Sequence, residues 1–189
     1  MSVVVKKEQS IASLPLLEDE LRDQLIGVSG DDALLIKEKY IRDQLALDPK
    51  YNTWSPLHFY GYKTDVAIVT DKVLVSVKGQ LAYDLDGDMH ISTGDLPDDY
   101  PQVSIPLFED YKSVGVSRVI ASTFLSVPDI YKGISRHDLE VMHLDGQKHQ
   151  CHFGNLEWKL NKPEEKLAEI QETVKALEAT MPDLPVAEA

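Results

Sequence analysis

The stretch Val141-Met142-His143-Leu144-Asp145-Gly146-Gln147-Lys148-His149-Gln150-Cys151-His152-Phe153-Gly154-Asn155-Leu156-Glu157-Trp158 decides how this chain is read. Residues 139–144 are apolar enough for a strand, and residues 155–158 begin or join the next element. Between them lies a polar loop dense in ligating side chains. His143, His149, Cys151 and His152 offer the imidazole and thiolate donors that suit zinc. Their spacing matches no standard zinc site and all four sit in one short loop, so zinc is not expected. Just upstream, residues 117–125 (SRVIASTFL) read as a short helix with Val119, Ile120, Thr123 and Phe124 partly buried, ended by Val127-Pro128-Asp129.

Three pieces of this region carry a resemblance. His143-Leu144-Asp145-Gly146 and Asn155-Leu156-Glu157-Trp158 match in order and spacing, and Arg118-Val119-Ile120-Ala121-Ser122-Thr123-Phe124 precedes them. Together they resemble the HNH homing-endonuclease family of phages and mobile elements. The specific part covers about a quarter of the chain. Residues 54–79 loosely resemble the small β-rich module often fused ahead of it.

The resemblance implies a ββα-metal unit that presses a magnesium ion against a scissile phosphate of double-stranded DNA. In that reading His143 is the general base that activates water, and Asn155, carried on a helix, is a metal ligand with Asp145 beside it. Gln150 and His152 shape the loop, and Arg118, Lys148 and Lys159 contact DNA. Two positions depart from the family pattern. Met142 stands where Asp or Asn is common, and a thioether is a poor partner for magnesium. Gln150 stands where a middle Asn ties the loop by hydrogen bonds, and its longer arm needs a different loop.

Working outward, the chain reads as an α+β protein. Residues 1–50 form an N-terminal helical segment: Leu17, Leu21 and Leu25 recur at helical spacing within residues 14–25, and a second helix starts at Asp31 or Asp32 and runs to Leu47. Residues 51–115 form a β-rich module, with Val66, Ile68, Val73, Val75 and Val77 alternating with polar positions and split by Thr70-Asp71-Lys72, the pattern of a strand or a hairpin. Gly79 and Asp86-Gly87-Asp88 mark further turns; residues 84–88 share part of a calcium loop but lack its downstream Glu, so a hairpin is expected. Residues 95–101 read as a loop and 103–107 as a short strand. Trp54, Tyr60 and Tyr62 read as core packing, and His58 and His90 have no partner that sequence identifies. Residues 116–162 are the HNH-like unit. Residues 163–189 are an amphipathic helix and tail with Leu167, Ile170, Val174 and Leu177 at heptad-like spacing, which packs on the domain or, through residues 163–180, pairs two copies.

Charge qualifies the functional reading. The net charge is −13 over 189 residues. Residues 1–50 carry −3, residues 51–100 carry −5, residues 101–162 are neutral, and residues 163–189 carry −5. DNA-binding proteins draw affinity from a basic face, so the balance argues against strong non-specific DNA binding. The single cysteine fits a reducing compartment, no run reaches the length of a bilayer span, and the N-terminus is too polar for a signal peptide. A cytoplasmic protein, in the host cell if phage-encoded, is expected. Two functions stay open: a metal-dependent DNA endonuclease, or an inactive HNH fold acting as an acidic protein-binding, regulatory or phage structural component whose partner has a basic surface.

Overall fold

In the computed structural model, the described residues are 2–4, 11–60, 67–85, 88–92, 101–103 and 113–161, with Glu164, Ala168, 171–173, 175 and 176 in helical conformation beyond them. The protein mixes helix and sheet. Residues 1–159 form one compact unit and residues 160–189 a second. The expected divisions near residues 50 and 115 therefore fall inside the first unit. The stripe of Leu167, Ile170, Val174 and Leu177 lies outside the described residues, as do Val66, Tyr62, Asp86-Gly87 and residues 95–100 and 104–107.

A five-stranded antiparallel sheet is the frame. It comprises β1 (Ser2–Val4), β2 (Trp54–Tyr60), β3 (Ala67–Ser76), β4 (Leu81–Leu85) and β5 (Asp88–Ser92), in the order β1-β5-β4-β3-β2. Val73, Leu74, Val75, Ser76 and Val77 are all buried in sequence, which an alternating strand achieves only when both sheet faces are covered. One face packs Trp54, Leu74 and Ala82 against Ile11, Leu14 and Leu16. On β2, Leu57 and Phe59 are fully buried, and a helix, α4 (Val116–Phe124), is packed on that strand.

Of the strand and the hairpin that the sequence allows at Thr70-Asp71-Lys72, the structure has the strand: β3 runs through these residues. Pro56 pairs with Leu74 and the next β2 residue, Leu57, pairs with Thr70, so residues 71–73 bulge without a partner on β2. The Thr70 hydroxyl accepts the Lys72 N–H at 3.2 Å, so local turn chemistry supplies the bulge instead of a hairpin.

The N-terminal region departs from one long first helix. It has two short turns, α1 (Leu17–Glu20) and α2 (Arg22–Leu25), followed by α3 (Gly30–Leu47). Leu14 and Pro15 stay out of α1 because Trp54 N–H donates to the Pro15 carbonyl at 3.0 Å and Leu16 bridges to Trp54. Asp31 and Asp32 lie in the first turn of α3, after Ser29, and make no side-chain cap. The carboxylates of α1 tie it to its neighbours: Glu18 takes Lys37 and Ser55 at 2.5 Å each, and Glu20 takes Thr53 at 2.9 Å and Tyr51 at 2.7 Å. Burial, then the Glu20 hydrogen bond, pushes the Tyr51 phenol up.

The remaining elements are β6 (Gln102–Val103), β7 (Val114–Gly115), α4 (Val116–Phe124), β8 (Leu139–His143) and β9 (Leu156–Leu160). The last two form their own two-stranded sheet. Every residue of α4 except Ser117 is buried, because the helix lies between the main sheet and the β8–β9 pair. Thr123 Oγ1 links it to His58 of β2, accepting that residue's N–H at 3.4 Å and donating to its carbonyl at 3.2 Å.

Candidate functional site

The β8–β9 pair places His143, and its loop is held by one residue. Asn155 is 5% exposed. Its Oδ1 accepts the Asp145 N–H at 3.0 Å. Its Nδ2 donates to Asp145 Oδ1 at 2.8 Å and to the Gln150 carbonyl at 2.9 Å. The Asn155 N–H donates to the His152 carbonyl at 3.0 Å, and its own carbonyl accepts Leu144 N–H at 2.8 Å. One side chain and its backbone thus close the whole 12-residue span between the strands at both ends. The resemblance implies that Asn155 is carried on a helix, and the structure places it elsewhere. It ends a 3-10 turn, Phe153–Asn155, and enters β9.

That arrangement moves the tie expected at position 150 onto Asn155. Gln150 binds locally instead, donating through Nε2 to Gln147 Oε1 at 2.9 Å. His152 contributes its backbone carbonyl to the tie while its ring is exposed. Burial, then nearby Lys78, lowers its imidazole. Asp145 is exposed at the loop surface. The Gln147 N–H and then the Asn155 amide hold its carboxyl below the ordinary value.

His143 closes β8, half-buried. Strand alternation puts it with Leu139 and Val141 on one face and Met142 with Glu140 on the exposed one. His143 Nε2 lies 3.7 Å from the Sγ of buried Cys151, whose thiol donates to the Lys148 carbonyl at 3.4 Å. Burial, with smaller contributions from Lys148 and His149 and against that of Asp145, lowers the His143 imidazole. A neutral ring suits a base, but the neighbour of Nε2 is a thiol.

These residues do not fit a magnesium ion. A hard cation gathers several oxygens. Met142 brings a thioether on the opposite face from His143. The Asn155 oxygen accepts the Asp145 N–H inside the fold, which leaves Asp145 as the only acidic side chain of the loop. Among the described residues no group of three or more His, Cys, Asp or Glu side chains comes together.

Arg118, which the resemblance puts in contact with DNA, is 3% exposed. Its guanidinium donates to the carbonyls of Tyr60 at 2.9 Å, Leu139 at 2.8 Å and Arg136 at 2.8 Å, and lies 5.5 Å from the Trp158 ring centre. It joins α4, β2, β8 and β9, which is why an Arg stands in that helix. Lys148 and Lys159 are exposed, the first in the loop and the second on the outward side of β9.

The loop also leans on the main sheet. Phe153 N–H donates to the Val77 carbonyl at 2.9 Å. Gly79, at φ +84°, turns β3 into β4 there, and a Cβ on it would meet the Cys151 carbonyl at 2.5 Å. Sequence reading placed a turn at Gly79 but missed this docking, since residues 79 and 151 carry no pattern that links them. It likewise missed the cleft beside β9, whose Glu38 accepts the Ser126 N–H and hydroxyl at 2.8 and 2.6 Å across 88 residues. No family model, curated protein or solved structure matches the chain.

Proposed function

We propose that the protein is HNH-like, of phage or mobile-element type, and that its ββα-derived scaffold serves binding and not cleavage. In this reading it is an acidic component of a regulatory or particle assembly that docks on a basic protein surface. The observation that carries it is the commitment of Asn155: the residue that the resemblance makes a metal ligand has its amide bound to Asp145 and Gln150. Met142 on the face away from His143 and the net charge of −13 support the same reading. Supercoiled plasmid incubated with magnesium or manganese is expected to stay uncut. Nicking that depends on metal and disappears in His143→Ala would overturn the reading.

The second reading is a magnesium-dependent endonuclease acting on double-stranded DNA. One observation favours it: half-buried His143 ends β8, and burial lowers its imidazole, which favours the uncharged form a general base needs. The same plasmid assay separates the two.

A further inference from the structure

Beside the β8–β9 loop, a cleft of about 310 Å³ opens between α3, the segment after α4, and β9. Its apolar lining is Leu125, Pro128, Leu144, Leu156 and Trp158; Leu125, Leu156 and Trp158 belong to the core, and Leu144 is 56% exposed. Its polar lining is Glu38, Arg42, Ser126 and Glu157, with Ser126 bonded to Glu38. Glu38 and Arg42 neutralise each other: Arg42 donates to Glu38 Oε1 from Nε at 3.0 Å and Nη2 at 2.7 Å, and Arg42 is further held over the Phe153 ring at 5.1 Å. Glu157 is different. It is exposed, lines the same cleft, and forms no ion pair among the described residues.

We propose that this cleft receives an arginine or lysine side chain from a basic protein partner. Such a side chain has an apolar stem and a cationic head. The stem matches exposed Leu144 and half-buried Pro128, and the head meets the Glu157 carboxylate at the rim. The cleft's own ion pair contributes no net charge, so Glu157 sets its sign, and the surplus of 13 negative charges attracts the partner from a distance. A large exposed leucine beside a carboxylate without an ion pair is the combination that a lone hydrophobic or a lone charge would not provide. The inference rests on the binding reading given above and names the site of that binding.

The test uses the full chain and a nona-arginine peptide as probe, titrated at low salt. Glu157→Lys is compared with Asp43→Lys, an equal change in net charge at an exposed α3 position that does not line the cleft. Leu144→Ser removes the apolar wall with no change in charge. Circular dichroism and melting are measured for each variant to establish that it is folded. The expected result is a loss of about fivefold or more in affinity for Glu157→Lys and of about threefold for Leu144→Ser, with a smaller loss for Asp43→Lys. Equal losses for the two charge variants with no loss for Leu144→Ser would overturn the cleft while leaving an acidic binding protein. Absence of binding by the unaltered chain would overturn both.

Discussion

Asn155 is bonded at every polar group of its side chain, and removing that side chain leaves the Asp145 N–H and the Gln150 carbonyl without their partner. Asn155→Ala should therefore lower stability by about 2–4 kcal/mol in urea denaturation, since buried groups stripped of their partners are costly. Arg118 is the second such residue. Its three carbonyl partners come from β2, β8 and the turn at Arg136. Arg118→Gln should cost about 3 kcal/mol by the same measurement. His58 sets a pH dependence. Burial, then Arg136 and Lys37, lowers its pKa from 6.5. The unfolded chain thus binds that proton more readily than the folded one. Its contribution to stability is full above about pH 6.5 and declines as pH falls through that value toward the lowered folded pKa. His58→Phe should flatten the fall in melting temperature between about pH 7 and 5; an unchanged slope would remove His58 from this account. Of these three residues, sequence gave Arg118 its place in a motif and Asn155 its place in the spacing, but neither partner set. A buried Arg and a fully bonded Asn look in sequence like exposed ones, because burial depends on residues from distant elements.

At the scale of elements, what was legible followed from local period. The helix around residues 117–125 and the strand around 139–144 appeared as α4 and β8 because their apolar positions already face one side. What was not legible depended on pairing. Thr70-Asp71-Lys72 has turn chemistry, and only its partners on β2 make it a bulge in a continuous strand. The first helix starts only at Leu17 for a similar reason, since residues 15 and 16 are drawn into contact with Trp54. The docking of the β8–β9 loop on the β3–β4 turn gives this scale its prediction. Gly79 needs a positive φ and has the Cys151 carbonyl where a Cβ would go. Gly79→Ala should lower stability by more than about 1 kcal/mol, with the loss in thermal melts accompanied by faster hydrogen exchange at Phe153. An unperturbed Phe153 amide would show that the loop does not rest on the turn.

For the whole molecule, charge and scaffold point the same way. A chain at −13 repels itself, so added salt should raise its melting temperature by a few degrees, more than for a chain near neutrality. No helix among the described residues is long and apolar enough to cross a membrane. The central claim is that the His143 loop is a closed structural element with no hard-cation site. Manganese binding, read by electron paramagnetic resonance on the full chain, tests it most directly. The account predicts no stoichiometric site below millimolar metal, in the unaltered protein and in His143→Ala alike. A one-to-one manganese site that vanishes in Asp145→Asn or His143→Ala would contradict it.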